Sequence, residues 1–266
     1  MILKRKSELE VMAEAAVINR EALEAVARHI APGVTTAELN AVAEDAIISR
    51  GGKPAFKGYN GFPATLCTSV DEVVVHGIPG DRRLEDGDIV SIDIGTFYRG
   101  YAADLARTYA VGTIPVEVQR LLDATERSLT AGIEAAQAGK RLGDVSAAIQ
   151  DVVEQAGYWV VREFVGHGIG REFHEGPEVP NFGRAGTGPV LRPGLVLAIE
   201  PMVAQRRARV VIADDGWTAS TENGCLAAHF EHTVAITEEG PWVLTAGGEV
   251  RGSKSVAVAG GGVHGA

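Results

Sequence analysis

Asp93 stands between Ile92 and Ile94 in the run Ile89-Val-Ser-Ile-Asp-Ile-Gly95, a costly place for a charge without compensation. A second apolar-alternating run, Tyr101-Ala-Ala-Asp-Leu-Ala-Arg-Thr-Tyr-Ala-Val111, carries Asp104. Arg99-Gly100 reads as the tight turn between two strands. Tyr98 then faces Tyr101, Asp93 faces Ala106 and Gly95 faces Asp104. The period of two puts Asp93, Gly95, Asp104 and Ala106 on one face, with the aspartates as diagonal neighbours. Two close carboxylates repel each other unless a proton or a cation lies between them. A solvated pair on an open hairpin is the plainer alternative, and the flanking isoleucines argue against it.

Further residues of the same chemistry follow. His167 lies in Phe164-Val-Gly-His-Gly-Ile-Gly170, whose glycines let backbone approach a ligand closely. His174 is seven residues on, so one imidazole could bind metal while the other meets substrate. Glu200 ends the apolar run Val196-Leu-Ala-Ile199, and Glu231 precedes Thr233-Val-Ala-Ile236. Singly, each glutamate reads as a surface residue at a strand end. Together with Asp93, Asp104 and His167 they make four carboxylates and one imidazole. Four negative charges balance two divalent cations and leave a bridging hydroxide as nucleophile. Oxygen ligands with one nitrogen suit Mn, Fe, Co or Zn without selecting among them. The chemistry implied is two-metal hydrolysis, with ions roughly 3.5–4 Å apart.

Such a site needs elements that bring distant residues together. Ser7 with Glu10 reads as a capping box opening a first helix, with apolar positions at Leu9, Met12, Ala16, Leu23 and Val26. Thr35 with Glu38 opens a second helix, which Gly51-Gly52 closes. Strands and turns run from about Phe56 to Val111. Helices follow from Pro115 to about Gly139 and from about Asp144 to Gly157, then mainly strands and loops from Tyr158 to Leu244. A shift of 106 residues (139 − 33) aligns Gly33 with Gly139, Ala41 with Ala147, Asp45 with Asp151 and Gly51 with Gly157. Leu23 with Leu129 and Ala25 with Ala131 fall on the same shift. The pattern predicts one domain, residues 1–246, of two similar halves, with a site between them drawing ligands from both. Residues 247–266, mostly Gly, Ala, Val and Ser, read as a mobile extension without catalytic part.

The bulk properties narrow the classes. With 266 residues, 45% hydrophobic and 23% charged, the chain has an ordinary globular composition. A formal net charge of −10 argues against a general nucleic-acid binder. Two cysteines, Cys67 and Cys225, make no disulfide framework and fit a reducing cytosol. The N-terminal residues lack the apolar core of a signal peptide, and no apolar run is long enough to span a bilayer. The expectation is a soluble, cytoplasmic protein.

At these residues the sequence resembles the type I methionine aminopeptidases, members of the pita-bread metallopeptidase fold. The motifs are Val75-His76-Gly-Ile-Pro79, Asp93, Asp104, Gly166-His167-Gly-Ile-Gly170, Phe173-His174-Glu175, Ile199-Glu200-Pro201 and Glu231-His232-Thr233. The resemblance runs from about Ser7 to Leu244. It implies an α+β fold of two pseudo-symmetric halves around a dinuclear metal site, and removal of the N-terminal methionine from nascent polypeptides. It also implies that Asp93 holds one ion, that His167 and Glu200 hold the other, and that Asp104 and Glu231 bridge both. Glu200 is implied as the proton-transfer group, and His76 and His174 as donors to the substrate and its tetrahedral intermediate. Tyr59, Phe62, Cys67, Phe173 and Trp217 are implied as a methionine pocket, where aromatic faces and sulfur suit an unbranched thioether. A small second substrate residue, transient ribosome association and a monomeric state complete the expectation.

Phe56 departs from a smaller Cys of some bacterial relatives, and His229 from a frequent Gln. Arg206, Arg207 and Arg209 lie near a loop that helps some relatives dock on ribosomes, with little positive charge beyond them. Three alternatives are weighed against the resemblance. Relatives that cleave Xaa-Pro bonds usually carry an additional N-terminal domain, whereas here the first helix leads directly into the catalytic region. Type II methionine aminopeptidases carry a helical insertion for which the 33 residues from His167 to Glu200 leave no room. A catalytically dead binding module of the same fold loses ligands, and this chain keeps all five.

Overall fold

Three of the four α-helices among the described residues begin where a carboxylate, of Glu8, Glu38 or Asp144, reaches a free backbone N–H group. The structure, a computed structural model, describes residues 1–246; the extension expected at 247–266 lies outside them. Helix α1 spans Lys6–Ala27. Its cap is Arg5, whose N–H donates to Glu8 Oε2 at 2.8 Å, so the expected box of Ser7 with Glu10 is displaced toward the N-terminus. A tertiary contact explains the choice: the Tyr101 hydroxyl donates to the other oxygen of Glu8 at 2.5 Å and fixes that carboxylate. Helix α2, Thr36–Ser49, has the box expected. Thr35 N–H donates to Glu38 Oε2 at 2.7 Å, and Glu38 N–H donates to Thr35 Oγ1 at 3.2 Å. Gly51 then turns the chain with φ 78°.

Five strands complete the first half: β1 Lys53–Pro54, β2 Leu66–Val70, β3 Val73–Val75, β4 Ile89–Tyr98 and β5 Tyr101–Ala110. The hairpin of β4 and β5 has the register read from sequence, with Tyr98 opposite Tyr101, Asp93 opposite Ala106 and Gly95 opposite Asp104. On its other edge β4 pairs with β1 and β2. Ile92, Ile94 and Leu105 pack against Ile18, Leu23 and Val26 of α1 and Leu39 and Ile47 of α2. That burial fixes which face the aspartates take, because a one-residue slip would exchange the two faces.

The second half repeats the plan. Helices α3, Val116–Ala135, and α4, Leu142–Gln155, cover β6 Trp159–Val160, β7 Gly166–Gly168, β8 Glu175–Val179, β9 Val196–Ile199 and β10 Met202–Ala204. The remaining strands are β11 Val210–Ile212, β12 Ala219–Thr221, β13 Ala227–His229, β14 His232–Thr237 and β15 Gly240–Val243. Helix α4 begins two residues before the expected Asp144, because Asp144 is the residue whose Oδ2 accepts from Arg141 N–H at 2.8 Å. A shift of 106 carries α2 onto α4 end for end. Gly33 and Gly139 both have positive φ, as do Gly51 and Gly157. Gly33 N–H donates to Leu84 O and Gly139 N–H to Leu191 O, so the shift has become 107 by the start of β4 and β9. On that shift β4 meets β9, and Asp93 meets Glu200.

In the second half, β9 pairs with β14 and β10 with β13 in a single register that sets Ile199 opposite His232 and Met202 opposite His229. Glu200 therefore faces Glu231 across that hairpin. Hydrogen bonds join the two halves edge to edge. Glu231 N–H donates to Ala106 O at 2.9 Å, Asp104 N–H to Thr233 Oγ1 at 2.9 Å, and His229 N–H to Thr108 Oγ1 at 2.9 Å. The carboxylate faces of the two hairpins thus become one surface.

Candidate metal centre

Asp104, His167 and Glu231 bring one ligand atom each within 4.8 Å of one another. Nε2 of His167 stands 3.7 Å from Asp104 Oδ2 and 3.6 Å from Glu200 Oε1. Asp93 and Asp104 share the cavity wall with His167 and Glu200, while Glu231, 1% exposed, lies beneath it. All five residues singled out from the sequence as ligands are therefore brought together. His167 is presented by β7 between two glycines that have no room for a side chain: a Cβ at Gly166 would strike Ala198 O, and one at Gly168 would strike Gly176 O. Its Nδ1 lies 2.9 Å from Gly168 O. A carbonyl can only accept, so the proton sits on Nδ1 and Nε2 offers a lone pair.

The electrostatics are those of a site built for cations. Burial and the neighbouring Asp104 and Glu200 push the Asp93 carboxyl well above the usual range. Burial with Asp104, Glu200 and Asp93 does the same to Glu231, and Asp104 is also raised by burial. For His167 burial opposes the charged form, but Asp104 and Glu200 outweigh it and the net shift is upward. Asp93 Oδ1 and Glu231 Oε1 are enclosed without any hydrogen-bond partner. Enclosed acceptors without donors are rare, and an ion that the chain itself does not supply is one of the few explanations. The donor set fits divalent metal.

The cavity above these residues has a volume of about 300 Å³. His76 and His174 line it, as do Tyr59, Phe62, Cys67, Phe173 and Trp217. His76 has φ 61°, a left-handed conformation that is strained for a residue with a Cβ and is concentrated at functional sites. Nδ1 of His174 lies 2.7 Å from the Tyr59 hydroxyl. Burial, with His167 close by, lowers its pKa to about 4. The thiol of Cys67 is pushed well above its usual pKa by burial and by Asp93. Phe56 lines the wall too, its ring 5.3 Å from that of Phe173.

Sequence reasoning missed Asn60, Val75, Phe164, Val165 and Met202 as wall residues, and treated His229 only as a departure. Met202 and His229 were findable, since they occupy the places of Gly95 and Asp104 on the repeated hairpin. Asn60 carries no signal of its own, because a turn with φ 48° brings it to the rim.

The model of metallopeptidase family M24 matches residues 10–238. The chain is 52% identical over 245 residues to a methionine aminopeptidase of Clostridium perfringens, covering 92% of this chain and 98% of that protein. The crystal structure of a methionine aminopeptidase from Thermotoga maritima superposes with a TM-score of 0.91 at 46% identity, covering 92% of this chain and 99% of the other. A prolidase from Pyrococcus furiosus gives 0.73 at 26% identity, covering 93% of this chain but 66% of the prolidase.

Proposed function

The chain belongs to metallopeptidase family M24, with the pita-bread fold, and from that premise we propose that it is a metal-dependent aminopeptidase removing the N-terminal methionine of nascent polypeptides. The observation that carries this reading is the meeting of four carboxylates and one imidazole, from both halves, beneath a cavity walled by aromatic rings and Cys67. In this reading the five residues would hold two divalent ions, Asp93 contributing to one, His167 and Glu200 to the other, and Asp104 and Glu231 to both. When bound, such ions supply a water acidic enough to act as nucleophile near neutral pH and a positive charge for the carbonyl oxygen. Their identity among Co, Mn, Fe and Zn is left open by the donor set.

The chain's own groups do the rest. A Glu200 carboxylate oxygen takes the proton of the attacking water and returns it to the leaving amine nitrogen. His174 is neutral at pH 7 by its lowered pKa, and in the tautomer where the Tyr59 O–H donates to its Nδ1, Nε2 carries the proton and would donate to the substrate. His76, also in the cavity wall, supplies a second donor for negative charge developing on the carbonyl oxygen. The methionine side chain occupies the pocket of Tyr59, Phe62, Cys67, Phe173 and Trp217. His76 and His174 crowd the next substrate position, which favours a small second residue.

Residues 1–246 act as one catalytic domain, monomeric and cytoplasmic in this reading. No helix among the described residues is long and apolar enough to cross a membrane. Arg206, Arg207 and Arg209 are exposed and offer the contact for transient ribosome association. The test is a panel of short peptides after metal reconstitution, with and without chelator. Met-Ala-Ser should be cleaved far faster than Met-Leu-Ser, Met-Lys-Ser or Xaa-Pro peptides, and only with divalent metal. Glu200→Gln should remain folded and lose most turnover. Equal rates across the panel, or an active Glu200→Gln protein, would refute the assignment.

A further inference from the structure

His229 is 2% exposed, and its Nε2 is enclosed without a hydrogen-bond partner. That nitrogen stands 3.6 Å from Glu200 Oε2, while Nε2 of His167 stands 3.6 Å from Glu200 Oε1. Each oxygen of the Glu200 carboxylate therefore faces its own imidazole. The two rings are not equivalent. His167 commits its proton to Gly168 O, which leaves a lone pair toward Glu200 and the metal ligands. No carbonyl among the described residues claims the Nδ1 proton of His229, so its ring is free to carry the N–H at Nε2, where it would be offered to Oε2.

The backbone of His229 is held from behind. His229 N–H donates to Thr108 Oγ1, and the Thr108 hydroxyl donates to His229 O, each at 2.9 Å. Thr108 is itself bound to Ser91 at 2.8 Å. Strand pairing with Met202 fixes the face on which His229 projects, the one that carries Asp104 in the other half.

We propose that His229 is a positioning residue for Glu200, donating from Nε2 to Oε2 and so presenting Oε1 to the metal ligands. The inference rests on the role given to Glu200 above. A carboxylate displacement of about 0.5 Å brings the pair within ordinary hydrogen-bond reach. An unrestrained Glu200 would bind metal less tightly and be misaligned for proton transfer, while substrate contacts made elsewhere would be untouched.

The experiment compares the full chain with H229Q, H229A and H229L. Mn(II) is titrated calorimetrically into chelator-stripped protein, kcat and KM are measured on Met-Ala-Ser at saturating Mn(II), and melting temperature checks the fold. H229A and H229L should lose roughly 10–100-fold in Mn(II) affinity or in kcat, with KM little changed. H229Q, whose amide N–H has similar reach, should recover most of the loss. Wild-type Mn(II) affinity and kcat in folded H229A would overturn the proposal. So would an H229Q protein as impaired as H229A, because the imidazole itself would then be the ligand. If H229L does not fold, H229A and H229Q decide alone. Wild-type protein that binds Mn(II) but leaves Met-Ala-Ser intact would sink the functional reading and leave the metal titration to judge His229.

Discussion

Asp71 shows at residue scale how this acidic chain tolerates its charges. Its φ is 54°, its Oδ1 accepts from Ile89 N–H at 3.0 Å, and Arg82 approaches within 3.8 Å. Burial, with Asp88 and Glu72 nearby, still pushes its pKa up to about 6. A carboxyl whose folded pKa is raised favours the folded state in its protonated form. The handicap is therefore full above pH 6 and fades as pH falls toward the unfolded value near 4. Asp71→Asn keeps the acceptor, removes the charge and suits a left-handed residue. Discounted for solvent screening of a half-buried group, the gain at pH 7.5 should be about 1 kcal/mol, or roughly 2–4 °C in melting temperature. At pH 4 the gain should vanish, and a gain independent of pH would assign it to the backbone instead. Phe56 poses a different choice, between wall and core. It is 7% exposed, lines the cavity and touches the ring of Phe173 edge-on. Phe56→Ala should cost about 3–5 kcal/mol of stability. The space it opens should also improve cleavage of N-terminal ethionine relative to methionine by roughly ten-fold. An unchanged kcat/KM ratio with lowered melting temperature would leave Phe56 a core residue only.

Among the elements, the connection before β8 depends on a partner far away in the chain. Lys4 Nζ donates to Glu175 Oε2 at 2.5 Å, with both side chains 3% exposed. The other oxygen of Glu175 accepts from Arg171 N–H at 3.0 Å, so a single carboxylate gathers the turn that carries Phe173 and His174. Gly170 allows this closeness, since a Cβ there would lie 2.5 Å from Glu175 Oε1 and overlap the Lys4 chain. Removing one partner of a buried pair strands the other charge. Lys4→Met should therefore lose about 3–5 kcal/mol of stability. With His174 displaced, its kcat/KM on Met-Ala-Ser should fall as well. Lys4→Met with Glu175→Gln should recover part of the stability, because no charge is stranded. Circular-dichroism melts of the single and double variants check this, and a stable, active Lys4→Met protein would contradict it.

On the scale of the whole molecule, the two halves meet where their charges repel most. Asp93 and Asp104 come from the first half, Glu200 and Glu231 from the second, and the hydrogen bonds of Ala106, Asp104 and Thr108 hold them in place. Divalent metal should thus act as a clasp between halves as well as a cofactor. An ion at 100 times its dissociation constant stabilises the folded state by about 2.7 kcal/mol, or roughly 5–10 °C in melting temperature here. Chelation should lower the melting temperature by that amount, and Mn(II) should restore it. A melting temperature indifferent to both would mean that the carboxylates do not bind the ion in the folded protein.

Much of this was legible in the sequence because it depends on short-range periodicity. The β4–β5 register follows from one two-residue turn and alternation, and the second capping box from Thr35 and Glu38 alone. The repeat was legible as well, since Gly33, Gly51, Gly139 and Gly157 mark positive-φ turns wherever the plan recurs. The motifs named the family, and the five residues they imply as ligands are ones the fold gathers at one place. Other features were decided only in three dimensions. The first helix is capped by Glu8 and not Glu10 because Tyr101, distant in sequence, holds that carboxylate. Nothing in the sequence marks Lys4 as the buried partner of Glu175. His229 meets Glu200 as a diagonal neighbour only once β10 has paired with β13, two strands that no short turn joins. Sequence specifies the faces of each strand through its period, but which side chains confront one another across two halves depends on how those faces are packed.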